Sequence, residues 1–95
     1  MTDITHELKI LPDFFEAFIR GDKNFEIRNN EHDFKVGEFL VLNEWTSCDY
    51  AKRCATGRSI KSVITYVTDF AQRDNFVVMG IRPVQYMKVE PNIEI

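Results

Sequence analysis

The chain has 95 residues, 44% of them apolar, and a formal net charge of −3. That length suits one domain and excludes two independent cores, and the apolar content excludes a disordered chain. A net acidic protein is also a poor match for a broad basic face that grips duplex DNA.

The first expected element is a strand over His6–Ile10, where Leu8 and Ile10 alternate with Glu7 and Lys9. A helix from Pro12 to about Arg20 follows. Proline is preorganised for a first helical turn, and Asp13 and Glu16 favour the positive end of the helix dipole. Phe14 pairs with Phe18 and Phe15 with Ile19 at i+4; with Leu11 they predict one broad apolar face. Gly21 supplies the left-handed conformation that ends a helix.

The second strand is Phe25–Arg28, with Phe25 and Ile27 on one face and Glu26 and Arg28 on the other. A polar loop over 29–36 leads through a turn at 35–38 into a third strand, Phe39–Thr46. The near-continuous apolar run Phe39-Leu40-Val41-Leu42 predicts cover on both of its faces. A second long loop is expected over Ser47–Gly57. A fourth strand runs about Arg58–Thr68, with Ile60, Ile64 and Tyr66 on one face and Lys61, Val63, Thr65 and Val67 on the other. After a turn over Asp69–Asn75, a fifth strand, Phe76–Arg82, ends at Pro83. A sixth short strand around Tyr86–Val89 and a tail complete the chain. Five or six strands, one early helix and short connections predict an α+β, mainly β domain built as a small, mostly antiparallel barrel, which limits exposed strand edges. The domain is expected to span 1–95, with its core over about 6–82.

The charge is uneven. Residues 1–46 hold ten acids and five bases; residues 47–95 hold five acids and seven bases. A local basic patch around Lys52, Arg53, Arg58 and Lys61 competes with ordinary solvated decoration. Five residues separate Cys48 from Cys54, a spacing that matches no common zinc pattern, and His6 and His32 are isolated in sequence, so no metal and no cofactor are expected. No apolar run approaches the length of a bilayer span, and no apolar leader opens the chain, which predicts a cytoplasmic protein with reduced thiols and no membrane partner.

The densest polar pattern is Gly21-Asp22-Lys23-Asn24-Phe25-Glu26-Ile27-Arg28, or G-x-K-x-x-E-x-R. Glu26 and Arg28 leave the same strand face, roughly 6.5–7 Å apart. Lys23, at the turn before the strand, can lean over that face. The guanidinium fork suits phosphate, carboxylate or base edges. The ordinary alternative is a solvated strand face. Trp45, Tyr50 and Arg58 are further candidate ligand contacts, the two aromatics as stacking platforms. Ser59, Ser62 and Thr65 lack the setting of a hydrolase triad, and the four glycines, at 21, 37, 57 and 80, are too dispersed for a phosphate loop.

The G-x-K-x-x-E-x-R pattern resembles the signature of the ASCH domain, a family of the PUA-like superfamily. Phe34–Leu42, Ser59–Val67 and Phe76–Ile81 resemble its successive strands, and His6–Ile10 with the helix resembles small stand-alone bacterial and phage members. The resemblance covers about residues 6–82. It implies a PUA-like barrel with a cleft between the first helix and the strands, lined by Lys23, Glu26 and Arg28, with Gly21 allowing the sharp turn. It further implies single-stranded RNA or a nucleotide as ligand. Some family members are enzymes that deacylate acetylcytidine or cut RNA. This chain has Glu26 where the deacylase has Thr, and its 69–75 turn is too short for that enzyme's acidic late helix. The expectation is therefore a binding module. The alternatives are a small hydrolase acting on a modified nucleoside or RNA, with Lys23 and Glu26 as the acid–base pair, and a bacterial or phage protein-interaction factor. Arg28 beside Glu26 works against the tuning a general base needs.

Overall fold

Strand β1 (Thr5–Ile10) alternates as its sequence predicts, with Leu8 and Ile10 buried and Glu7 and Lys9 exposed. The computed structural model describes residues 4–49 and 52–88. Helix α1 (Pro12–Ile19) begins on its proline and carries Asp13 in its first turn. Strands β2 (Phe25–Asn29), β3 (Phe39–Asp49), β4 (Lys52–Thr68) and β5 (Phe76–Lys88) follow, with one 3₁₀ turn at Asn30–His32.

The five strands form one mixed sheet in the order β1-β3-β4-β5-β2. Three pairings are antiparallel; β1 and β3 are parallel. The domain is therefore mainly β with one short helix, as composition and periodicity predict. The barrel, however, is not closed. The outer strands β1 and β2 do not pair among the described residues. At their seam the inward face of β2 carries charged Glu26 and Arg28, and a side chain rather than a backbone ladder bridges the gap. Arg28 Nη2 donates to the Lys9 carbonyl at 2.7 Å. Charged side chains on an edge are a standard obstacle to further strand pairing.

Helix α1 joins those two free edges. It buries Phe15 and Phe18, while Leu11, Phe14 and Ile19 stay exposed. The expected broad apolar face is thus narrower, and two of the omitted side chains, Leu11 and Phe14, face the seam cleft. In β3, Leu40 and Leu42 are fully buried and Phe39 and Val41 half-buried; the outer side of Phe39 is covered by the Lys61 ammonium, 4.6 Å from the ring centroid.

Three stretches differ from the sequence expectation. Ser47–Gly57 is not a long loop: β3 and β4 continue as a hairpin, pairing Thr46 with Cys54 and Ser47 with Arg53. The small polar residues that read as a loop are satisfied by ladder hydrogen bonds. Pro83 does not end β5, which runs on to Lys88. The register slips between Lys61 and Ser62, leaving Val84 as an extra residue beside Pro83, and a bulge is where a strand tolerates a residue without an N–H. Residues 86–88 of the expected sixth strand are therefore the continuation of β5, and Val89 with the expected tail lies outside the described residues. In β4 a second slip makes Thr65 the extra residue, so facing reverses after Ile64. Tyr66 is exposed and Val67 packs on the core. Gly80 accommodates this bulge, because a Cβ there would lie 3.0 Å from Thr65 Oγ1.

A buried ion cluster locks the helix to the sheet. Arg58 on β4 meets Glu44 on β3 side-on, Nε to Oε1 at 2.8 Å and Nη2 to Oε2 at 2.7 Å, and Nη2 also reaches Glu16 on α1 at 2.6 Å. Thr56 donates to Glu44 at 2.6 Å. The guanidinium lies 4.7 Å from the Phe15 ring centroid. Arg58 holds the Glu44 carboxyl below its ordinary value, against the opposing effect of burial, and Thr56 adds to the lowering. The folded state thus keeps Glu44 ionised at a pH where the unfolded chain has taken up a proton. This contribution is complete above the ordinary carboxyl range and is lost as pH falls through it. In thermal melts from about pH 6 to about pH 3, Glu44→Gln is expected to be less stable than the parent at the upper end, with the gap narrowing towards the lower.

Candidate functional site

Strand β2 inverts the usual polarity of a sheet. Its apolar residues Phe25 and Ile27 are 40% and 51% exposed, whereas Glu26 is only 4% exposed. A buried carboxylate beneath exposed aromatic and aliphatic side chains is costly for stability alone.

The turn after α1 builds this arrangement. Gly21 adopts φ +84°, and the backbone N–H groups of Gly21, Asp22 and Lys23 return to the carbonyls of Phe18 and Ala17. The chain then enters β2 with Lys23 reaching back over it. Lys23 Nζ donates to Glu26 Oε1 and, at 2.7 Å, to the Phe25 carbonyl. Arg28 Nε donates to Glu26 Oε2 at 2.8 Å. Both carboxylate oxygens are therefore held by cations. Arg28 commits two of the five N–H groups of a guanidinium and remains partly exposed.

These charges floor a cleft of about 580 Å³ at the open seam. Its walls are Lys9 and Ile10 at the end of β1, Leu11 just after it, Phe14 on α1, and Phe25 and Ile27 on β2; Asp22 stands at the rim. The size is that of a small-ligand site, and apolar walls with a few convergent polar groups are the usual composition of one.

Lys23, Glu26 and Arg28 thus converge as their spacing implies. Gly21 does not line the cleft; it acts through its turn. Trp45 lies in a smaller adjoining hollow of about 210 Å³. Tyr50 falls outside the described residues. Arg58 is not in the cleft, because the Glu44–Glu16 cluster occupies its guanidinium; two facing carboxylates outbid solvent for it. Lys61 similarly covers Phe39.

Two groupings were invisible in sequence. His6 Nε2 is 2.7 Å from buried Glu38 Oε1, which also accepts from the Lys35 N–H at 3.0 Å, and the His32 ring lies 5.5 Å from that of His6. Residues so far apart in the chain meet only because β1 pairs in parallel beside the turn into β3. Cys48 and Cys54, both free thiols, come together on the β3–β4 hairpin, where Cys48 raises the Cys54 thiol above its ordinary value. Among the described residues no group of three or more His, Cys, Asp or Glu is arranged to hold a metal, and no helix is long and apolar enough to cross a membrane.

Fold and cleft together define a small α+β domain with a mixed-charge site in the open seam of its sheet. Residues 5–81 match the model of the family described as a domain of unknown function, DUF3850, a span that includes both walls of the cleft. The chain belongs to that family. It is also 32% identical over 66 residues to a protein of Escherichia phage P2 described as "Uncharacterized 12.9 kDa protein in GpA 3'region". The match covers 70% of this chain and 56% of that relative, so the chain spans little more than half of the phage protein's length.

Proposed function

We propose that this is an ASCH-like binding domain whose seam cleft takes one nucleotide unit of single-stranded RNA. The observation that carries the reading is the Lys23–Glu26–Arg28 clamp, buried at the carboxylate and partly open at the guanidinium, beneath exposed apolar walls. The Phe14 and Phe25 rings offer flat apolar surface to a base with Ile27 beside them, and the uncommitted Arg28 donors suit a phosphate or a base edge. Unpaired strands present bases in a way a duplex does not. Binding is favoured over hydrolysis because Glu26, the acid–base candidate, has both oxygens engaged by cations. Two free thiols fit a reducing compartment, and we place the protein in the cytoplasm.

The test is titration of fluorescently labelled single-stranded RNA against the parent and Arg28→Lys. The lysine keeps a cation beside Glu26, so the fold is preserved, but it loses the fork. Affinity is expected to fall by about tenfold, equivalent to ~1.4 kcal/mol, and to weaken with added salt. Lys23→Gln should weaken binding as well. Parent-like binding by both variants, with unchanged melts, overturns the proposal. Acetylated cytidine and labelled RNA incubated with the parent should yield no product.

A further inference from the structure

We infer that the seam cleft is the first of two adjoining subsites, and that the ligand is a single-stranded oligonucleotide of at least two nucleotides, its second unit seated against Trp45 between Lys9 and Arg53. This rests on the nucleotide-binding reading of the cleft and adds the ligand's length and the path it follows.

The two hollows are not separate features. Lys9, Ile10 and Leu11 line both, so the end of β1 forms a low shared wall between them. Beyond that wall stand Trp45 on β3 and Arg53 on β4, brought side by side by the hairpin that pairs Trp45 with Ala55 and Ser47 with Arg53. The combined lining holds four cations, Lys9, Lys23, Arg28 and Arg53, against two acids, Asp22 and Glu26. In a chain of net charge −3 this is a local reversal of sign along one continuous path. A polyanion with a charge on every unit suits such a path better than a single anion does.

Trp45 adds the aromatic element. It is half-buried, and the Lys9 ammonium sits 4.2 Å from its ring centroid. Lys9 is exposed, so its long stem can move aside and leave the indole face to a base while the ammonium turns to the adjacent phosphate. Stacking on an indole tolerates any base, and together with mobile cations it gives binding without strict sequence choice. Lys9 therefore touches both subsites: its carbonyl holds Arg28 at 2.7 Å in the first, and its ammonium covers Trp45 in the second.

Trp45 is the chain's single tryptophan, so its emission reports on the second subsite alone. Titrations would compare adenosine monophosphate, the 5′-phosphorylated dinucleotide pApA (ApA below), a tetra-adenylate and an acidic hexapeptide. ApA is expected to bind about tenfold more tightly than the monophosphate and to quench Trp45, which the monophosphate leaves unquenched. Arg53→Gln, at an exposed position, should reduce the ApA advantage and its salt dependence while leaving monophosphate affinity unchanged. Trp45→Leu, with its melt measured, should remove the advantage. Monophosphate binding with no gain for ApA and no quenching overturns the second subsite and leaves the cleft reading intact. Failure of all three nucleotides overturns both. Binding and quenching by the hexapeptide, without binding by ApA, assigns the path to an acidic peptide and overturns the inference.

Discussion

Replacing Arg58 with alanine is expected to lower the melting temperature by roughly 10–40 °C. Glu44, 3% exposed, would lose the guanidinium that meets both of its oxygens and retain the Thr56 hydroxyl. Removing one partner of a buried pair costs about 3–5 kcal/mol, because the other charge is stranded. In a domain of this length each kcal/mol shifts the midpoint by about 4–8 °C. The cost reflects stranding rather than intrinsic attraction, which a second variant reveals. Arg58→Met combined with Glu44→Gln buries no charge and should recover most of the lost stability in the same melts. If the double variant is no more stable than Arg58→Ala, the cluster stabilises by some other route.

Phe15→Ala is expected to be comparably damaging, by about 3–5 kcal/mol, through a cavity at a fully buried position. Phe15 is the more deeply buried of the two phenylalanines that seat α1 on the sheet, and its ring lies against the Arg58 guanidinium and 6.4 Å from the ring of Tyr86. Losing it loosens the helix that presents Leu11 and Phe14 to the cleft. RNA affinity should therefore fall together with the urea midpoint, whereas Arg28→Lys lowers affinity alone. Phe15 and Arg58 touch, so a double variant should cost less than the two single changes combined. Simple additivity in urea titrations would show that α1 is held elsewhere.

Much of the site was legible because two-residue spacing on a strand fixes which side chains share a face. Glu26 and Arg28 had to project together, and Gly21 had to be a turn. Periodicity carries no sign, however. It could not say that β2 turns its charged side inward and leaves Phe25 and Ile27 outside, an outcome decided by the open seam. Parity also fails at a bulge, which is why Tyr66 and Val67 exchanged faces. The 47–57 hairpin was misread because Ser, Asp and Gly are common in loops, while cross-strand pairing, which overrides local preference, is not written in a local window. The Arg58–Glu44–Glu16 cluster spans three elements and had no local signature.

The seam has a mechanical consequence. Its two walls belong to strands at opposite ends of the sheet order, tied directly, among the described residues, by a guanidinium–carbonyl bond rather than by a run of amide pairs. The gap can therefore breathe without unzipping any ladder, and local opening of this kind needs far less free energy than global unfolding. A guest lodged there would act as a splint between the first and last strands of the array.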